Sequence, residues 1–258
     1  MDNQESIKYD QRALGAKGEV CAERTITVTQ KEIEDEKKGI INIKLTAKKP
    51  VPRAWFPGKL SNVKILCLSC GDGQQAPVLS AAGASVTVVH LSSEQLKQDG
   101  FVAQSEYLAL KILQGNMGKL DMLDEESYDI VYCPVSVSYI PDVNLMFNEV
   151  YRVLKKNGIF LFGAKNPFVY LFNSEKRNKG IFEVSNKLPF NTLDERDEHG
   201  VKDLLANKEA IEYSHTLEDL IGGQISAGFM ISGFYEDIDD DEICKYSPKY
   251  FATKAIKL

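Results

Sequence analysis

The strongest restriction on the fold comes from short apolar runs that alternate with helix-like stretches from residue 63 onward. The first run, residues 63–68, is largely apolar and strand-sized, which is typical of strands buried on both faces of a parallel sheet. Strands separated by helices at this spacing predict right-handed β-α-β crossovers and a sheet with helices on both faces. Further strands are predicted at residues 85–89, 108–113, 128–133, 159–163, 229–235 and 250–256.

Three helices are predicted between the first five strands. Residues 74–82 form the first helix, and Ser92 opens the second as an N-cap. Residues 143–154 carry apolar side chains along one helical face, which predicts an amphipathic helix. The pair Asn157-Gly158 is expected to end that helix.

Two segments interrupt the alternation. Residues 1–58 are polar and broken by prolines, and we interpret them as an N-terminal arm with one helix near residues 31–38. Residues 173–213 are rich in charged side chains and are interpreted as an insertion, after which residues 217–227 form a helix. The acidic run 236–242 is interpreted as a solvated hairpin loop.

Composition and charge limit the classes of function. The 258 residues carry 31 Lys and Arg against 37 Asp and Glu, so no general basic field favours a nucleic-acid partner. Five scattered cysteines are typical of reduced thiols in a reducing compartment. The first ten residues lack the features of a secretory signal, and no apolar run approaches the roughly 20 residues that cross a bilayer. A cytoplasmic protein without membrane contact is expected, and a homo-oligomer stays open.

A glycine-rich loop lies between the first strand and the first helix. Residues 71–76, GDGQQA, fit the pattern G-x-G-x-x-G/A, whose glycines let the backbone approach a ligand and whose helix N-terminus offers free N–H groups to an anion. The pattern occurs in dinucleotide enzymes and in nucleoside-binding methyltransferases, and a tight structural turn is a third interpretation. Cys67 and Cys70 have C-x-x-C spacing, but no further zinc ligands match, and core packing is the preferred interpretation.

Several motifs in one order carry a family resemblance. Residues 65–96, ILCLSCGDGQQAPVLSAAGASVTVVHLSSEQL, resemble the opening half of class I S-adenosylmethionine (SAM) dependent methyltransferases. LQGNM, ESYDIVYC and EVYRVLKKNGIFLF are similar to that superfamily's later strands, in order. KPVPRAWFPGK, PVSVSYIPDV, NPFVYLF, SHTLEDLIGGQISAGF and GFYED extend the resemblance over nearly the full chain, to a largely uncharacterised bacterial subgroup.

The resemblance implies an α/β fold in three layers. Residues 59–258 are expected to form the methyltransferase domain, with a doubly wound, mostly parallel, seven-stranded Rossmann-like sheet whose last strand is antiparallel. Residues 1–58 and the insertion 173–213 are expected to form a lid over the substrate.

The resemblance also implies SAM as the cofactor and S-adenosylhomocysteine as its product. Gly71 and Gly73 are expected under the methionine part of SAM, and the helix that starts near Gln74 favours its carboxylate. Leu91 and Met117 are expected to cover the adenine. The full set of implied cofactor-binding residues is Ser69, Cys70, Gly71, Gly73, Gln74, His90, Leu91, Asn116, Met117 and Pro134.

Four positions depart from the family pattern. His90 stands where the family usually has an acid that binds both ribose hydroxyls, and Asn116 stands where an acid often accepts from the adenine amino group. Cys67 replaces an acid at the start of the glycine motif, and Ser69 replaces its first glycine. Imidazole and amide groups still form hydrogen bonds, but without the added strength of a charge, so weaker SAM binding is predicted.

Fewer signals identify the acceptor side of the site. His215 is the candidate catalytic base, because histidine titrates near neutral pH and because it precedes a helix capped by Thr216 and Asp219. A structural hydrogen-bonding role for His215 is the alternative. Tyr139 is expected either to shape the substrate pocket or to pack under the arm. Trp55 is expected either to close over the bound cofactor or to hold the arm to the domain. The candidate substrate-pocket residues are Tyr139, Trp55 and Asn166.

The predicted function is methyl transfer from SAM to a small-molecule acceptor by in-line displacement. This reaction mainly requires alignment of the nucleophile with the methyl group, so no side chain is forced to act chemically. One alternative is a SAM-fold binding protein that has lost catalysis, which the substitutions at positions 67, 90 and 116 favour. The other is an NAD(P)-dependent oxidoreductase, which rests on the glycine loop alone. No metal site is predicted.

Overall fold

The computed structural model of the chain describes residues 5–13, 42–69, 75–92, 110–193, 196, 198–207 and 209–258. The predicted helices near residues 31–38 and from Ser92 onward lie outside the described residues. One sheet contains seven strands. In chain order they are β1 Lys64–Leu68, β2 Ser85–His90, β3 Leu110–Gln114, β4 Tyr128–Cys133, β5 Leu154–Lys165, β6 Phe229–Asp237 and β7 Tyr250–Lys257.

The strand order across the sheet is β3-β2-β1-β4-β5-β7-β6. Strands β1 to β5 run parallel to one another, and β7 runs antiparallel to both β5 and β6. This order confirms the predicted doubly wound, mostly parallel α/β sheet with an antiparallel last strand. The carboxyl ends of β1 to β5 meet at one edge, which we call the carboxyl edge, and open α/β sheets bind their ligands at this edge.

Helices and short helical turns connect the strands. The helices are α1 (residues 5–13), α2 Gln75–Ala81, α3 Val143–Val153, α4 Ser174–Asn178, α5 Glu198–Ala206 and α6 Gly223–Ser226. The 3₁₀ turns are Arg53–Trp55, Val137–Tyr139, Pro167–Leu171 and Glu242–Lys245. In the part of the chain that the structure describes, no helix is long and apolar enough to cross a membrane.

Alternate residues of the central strands face opposite sides of the sheet. Leu66 and Leu68 of β1 belong to the apolar cluster that includes α3, whereas Ile65 and Cys67 belong to the cluster that includes α2 and the N-terminal segment. All four side chains are fully buried. Burial on both faces explains the nearly continuous apolar sequence of this strand. It also confirms the interpretation of Cys67 as a core residue.

Helix α3 buries the predicted apolar face but ends earlier than predicted. The expectation that Asn157-Gly158 end this helix is wrong, because Leu154 already pairs with Tyr128 as the first residue of β5. The next pair of these two strands comes only at Ile159, so the residues between stand opposite a single residue of β4. Asn157 adopts a φ of 62° within this irregularity, which explains its turn-like sequence.

The predicted helix over residues 217–227 is present, but its first part is a π-helical turn, Glu218–Gly222, that continues into α6. Its cap is as predicted. The backbone N–H and the hydroxyl of Thr216 donate to the Asp219 carboxylate (2.9 and 2.8 Å), and the Asp219 N–H donates back to the Thr216 hydroxyl (3.0 Å). This reciprocal pair fixes the start of the helix.

Residues 42–49, which we call the strap, lie along the carboxyl edge. The Leu45 carbonyl accepts a hydrogen bond from the Val135 N–H (3.1 Å), shortly after β4. A Cβ atom on Gly163 of β5 would lie 2.1 Å from that carbonyl oxygen, so only glycine fits beneath the strap. The last N–H groups of the strap donate to the carboxylate of Asp237, the final residue of β6 (2.7 and 2.8 Å).

Candidate functional site

Most of the predicted cofactor residues that the structure describes lie at neighbouring strand ends. Cys70, Gly71, Gly73 and Gln74 fall outside the described residues. The others end or follow β1, β2, β3 and β4, which are adjacent in the sheet. These six residues are Ser69, His90, Leu91, Asn116, Met117 and Pro134.

Ser69, the first residue after β1, has a left-handed backbone with a φ of 49°. Its N–H donates to the carbonyl of Val89 in β2 (3.0 Å), so the turn is tied to the neighbouring strand. A residue with a side chain pays roughly 1–2 kcal/mol for this conformation. The backbone therefore explains why the family that this sequence resembles uses glycine at the position of Ser69.

His90 ends β2 with a side chain that is 1% exposed. Its carbonyl accepts from the Gly115 N–H (2.9 Å), and the Leu91 carbonyl accepts from the side-chain amide of Gln114 (3.1 Å). These bonds join the ends of β2 and β3. The side chain of Leu91 is half-buried, so part of its apolar surface is available at this edge.

The side chain of Asn116 forms a local turn. Its Oδ1 accepts from the Gly118 N–H (2.9 Å), which engages one lone pair of the carbonyl and leaves the other for a ligand amino group. Met117 is only 8% exposed and packs in the core that includes α3. The part of Met117 that can cover a ligand is therefore small.

Beyond β4 the chain passes the buried Pro134 and enters the 3₁₀ turn Val137–Tyr139. The Tyr139 side chain is half-buried. Burial raises the pKa of its hydroxyl, and the negative charges of Glu212 and Asp10 raise that pKa further. Tyr139 therefore lies close to one carboxylate from the insertion and one from α1.

A cavity of about 590 Å³ opens beyond the end of β5 and the start of β7. Its volume lies within the range of small-molecule sites. The end of β5, the turn and helix after it, the insertion and the start of β7 form its walls. Its polar lining includes Lys165, Tyr170, Arg177, Arg196, Glu212 and Lys249.

A cation, a carboxylate and a phenol meet where β5 ends. Lys165 Nζ lies 2.9 Å from Glu212 Oε2, and the Tyr170 hydroxyl donates to the same oxygen (2.9 Å). Burial raises the pKa of Tyr170 and the charge of Glu212 raises it further, so the hydroxyl stays protonated. This group holds the insertion against β5.

The acidic run 236–242 is not the solvated loop that the sequence predicts. Asp239 and Asp241 bind Lys249 Nζ (2.7 and 2.9 Å), and Asp241 also binds Arg177 Nε (3.0 Å). The side chains of Arg177 and Lys249 are each 12% exposed, and that of Asp241 is 5% exposed. The loop therefore supplies buried counter-charges to two cations of the cavity wall.

The predicted base His215 is buried and is not among the residues that line the cavity. Its Nε2 lies 2.9 Å from the Val137 carbonyl, so Nε2 must carry the proton and donate. Burial lowers the pKa of His215, and the hydrogen bond to Val137 offsets this only in part. The contact agrees with the structural alternative, and the catalytic role of His215 stays a prediction.

Trp55 and Asn166 are also absent from the cavity lining. The Trp55 ring lies 5.3 Å from the Tyr235 ring, and a Cβ on Gly233 of β6 would lie 2.8 Å from the indole. This packing agrees with the alternative in which Trp55 holds the arm to the domain. Asn166 caps the 3₁₀ turn after β5, directly beside the lining residue Lys165. Substrate roles for Trp55 and Asn166 stay predictions.

Helix α1 of the arm docks on the insertion. The Tyr9 hydroxyl lies 2.8 Å from the Glu209 carbonyl oxygen, and the Ile211 N–H donates to the Asp10 carboxylate (2.8 Å). Asp10 is 1% exposed. The arm and the insertion are therefore in direct contact beside the cavity.

Sequence reasoning missed the charged residues of the cavity wall. They come from widely separated segments, so no local spacing marks them as one group. Two local signals were available. Lys165 lies two positions after the predicted strand 159–163 and directly before the candidate Asn166, and Glu212 lies three positions before His215.

Known proteins similar to this chain agree in class. The methyltransferase domain family matches residues 66–162. The uncharacterized methyltransferase YbaJ of Bacillus subtilis is 40% identical over 252 residues, which cover 98% of each chain. A SAM-dependent methyltransferase from Mesorhizobium loti superposes with a TM-score of 0.56 at 21% identity, over 79% of this chain and 94% of that one. A SAM-dependent methyltransferase from Methanosarcina mazei gives 0.56 at 21% identity, over 77% and 93%.

Proposed function

Because the chain belongs to the SAM-dependent methyltransferase family, we propose that it transfers a methyl group to a small-molecule acceptor held in the cavity beyond β5 and β7. SAM supplies a methyl group on a sulfonium, which passes to the acceptor by in-line displacement with a neutral leaving group. The observation that carries the proposal is the position of this cavity, next to the carboxyl edge where open α/β sheets bind their ligands.

The described residues at the carboxyl edge fit a nucleoside-bearing cofactor. Leu91 and Met117 offer apolar surface at the ends of β2 and β3, and His90 and Asn116 offer polar atoms beside them. In the proposal these side chains hold the adenosine. The glycine loop that follows Ser69 holds the methionine part through backbone N–H groups.

The arm and the insertion are proposed to enclose the acceptor. Supporting contacts are those of α1 with the insertion, through Tyr9 and Asp10, and the passage of the strap over β4 and β5. Enclosure excludes water, which strengthens electrostatic interactions inside such a site. It also holds the acceptor in line with the methyl group. A general base is needed only if the acceptor must lose a proton at the transition state.

Thermal unfolding with millimolar SAM, S-adenosylhomocysteine or NADH tests the cofactor. We expect both adenosyl ligands to raise the midpoint and NADH to leave it unchanged, because a ligand at about 100 times its Kd stabilises by roughly 2.7 kcal/mol. A shift with NADH alone would favour an oxidoreductase. No shift with any ligand would favour a binding protein that has lost catalysis, which the absence of a carboxylate at Cys67, His90 and Asn116 suggests.

Replacing His90 by Asp is expected to tighten SAM binding about tenfold, because charge-assisted hydrogen bonds to the two ribose hydroxyls should together exceed neutral ones by roughly 1.4 kcal/mol. The same carboxylate should destabilise the ligand-free protein, since position 90 is 1% exposed. Calorimetric titration of SAM measures the effect. His90→Asn is the matched control, because it has the shape of Asp without the charge. Equal affinities of the Asp and Asn variants would refute the ribose contact.

A further inference from the structure

We propose that the cavity selects an anionic acceptor, such as a small carboxylate or phosphate with an apolar part; this rests on the proposed function for the site's role in methyl transfer. Among the described residues, four cationic side chains and two carboxylates line the cavity. The cations are Lys165, Arg177, Arg196 and Lys249, and the carboxylates are Glu209 and Glu212.

The counter-charges are distributed unevenly around the wall. Lys165 binds Glu212 (2.9 Å), which lies in the lining itself. Arg177 and Lys249 instead bind carboxylates of the loop between β6 and β7 (2.7–3.0 Å), and these carboxylates are not part of the lining. Counted over the residues that the structure describes, the surface that a ligand meets therefore has two more cations than carboxylates. Nearby charges act more strongly than those behind them, so the wall attracts an anion.

Arg177 also retains hydrogen-bonding capacity. Its Nε donates to Asp241 (3.0 Å) and its Nη1 donates to the Val169 carbonyl (2.9 Å). Among the described residues Nη2 has no hydrogen-bond acceptor, and its two N–H groups remain for a ligand oxygen. A bond from guanidinium to carboxylate or phosphate is charge-assisted and strongly directional.

The rest of the wall fits the apolar part of such a ligand. Aromatic side chains line the cavity, and the rings of Tyr170 and Phe190 stack at 5.2 Å with an angle of 26°. Phe172 and Tyr250 extend this aromatic surface. The combination of cations with aromatic rings favours a compact anion over a cationic amine.

Calorimetric titration of the S-adenosylhomocysteine-saturated protein tests the charge preference with three probes. 4-Hydroxybenzoate is the anion, 4-hydroxybenzamide is its neutral analogue, and tyramine is a cation. We expect the anion to bind at least fivefold more tightly than the amide, since one charge-assisted hydrogen bond exceeds a neutral one by about that factor. Stronger binding of tyramine, equal binding of the anion and the amide, or no binding of any probe would overturn the inference.

Two variants with opposite expected effects test whether residues of the cavity cause the preference for an anion. Lys165→Gln should weaken binding of the anion about fivefold and leave binding of the amide unchanged. Glu212→Gln should tighten binding of the anion by a similar factor. Lys176→Gln is the matched control, because Lys176 lies beside Arg177 on α4 but pairs with Glu183 outside the cavity lining. The same shift in the control and in Lys165→Gln would contradict a cavity site.

Binding of S-adenosylhomocysteine, measured first in each sample, separates this inference from the proposed function. Cofactor binding without anion preference would overturn the inference and leave the proposed function standing. Preference for the anion without binding of the cofactor would overturn the proposed function and leave the charge preference of the cavity standing.

Discussion

Alanine at position 163 is expected to lower the free energy of unfolding by about 2–3 kcal/mol, the upper part of the range for overpacked sites. The added Cβ would lie 2.1 Å from the Leu45 carbonyl oxygen and 2.9 Å from its carbon. Both atoms belong to backbone, which cannot move aside as a flexible side chain would. The strap must therefore leave β5, and the hydrogen bond from Val135 to Leu45 is then lost (3.1 Å).

Chemical denaturation followed by circular dichroism measures this loss, and the fluorescence of Trp55, the single tryptophan, reports on the chain that follows the strap. We expect the Trp55 transition to precede the loss of secondary structure in Gly163→Ala and to coincide with it in the wild type. Gly58→Ala is the matched control, because nothing lies within 4 Å of an added Cβ there. Similar stability of the two variants would mean that the strap does not press on β5.

The central sheet could be predicted from the sequence because its signals are local. The strand β1 has side chains buried on both faces, so its apolar run is readable without knowledge of its partners. The cap formed by Thr216 and Asp219 depends on a spacing of three residues within one segment. Such features need only the residues that contain them.

The irregularity in β5 and the ion pairs of the acidic loop could not be predicted from local sequence. Asn157-Gly158 has the composition of a helix end, but the pairing of Leu154 with β4 starts the strand first. Asp241 lies in an acidic stretch whose composition is typical of a solvated loop, yet it forms a buried ion pair with Arg177, which lies far away in the sequence. Tertiary contacts decide both cases, and local composition carries no trace of them.

The strand-end residues and the cavity wall of the candidate site also differ in how far the sequence marks them. The family resemblance assigns His90, Asn116 and their neighbours to the cofactor, and these residues lie at the carboxyl edge, where the strand ends of a parallel sheet meet. The cavity wall, in contrast, joins β5 to the insertion and to β7, and no periodicity relates Lys165 to Arg196 or Lys249. The sequence therefore marks the residues at the strand ends better than it marks those of the cavity wall.

Replacing Asp241 by Asn is expected to lower the free energy of unfolding by about 3 kcal/mol, because removing one partner of a buried ion pair leaves the other charge uncompensated. Two cations, Arg177 and Lys249, bind this carboxylate, and all three side chains are at most 12% exposed. For a chain of this size the thermal midpoint should fall by roughly 6–12 °C. Asp240→Asn is the matched control, since the Asp240 side chain is 94% exposed, and its exposed pair should contribute less than about 1 kcal/mol.

The same carboxylate predicts the response of the wild type to acid. Burial alone would raise the pKa of Asp241, but the hydrogen bond from Lys249, the Ile243 N–H and the charge of Arg177 outweigh burial and lower the pKa below its ordinary value of 3.8. A lowered pKa in the folded state stabilises the protein fully above about pH 4, and this contribution is lost as the pH falls further. Thermal midpoints between pH 3 and pH 7 should therefore fall less steeply on acidification in Asp241→Asn than in the wild type. Parallel curves would show that Asp241 does not contribute through its charge, and the cations of the cavity wall would then need another source of stabilisation.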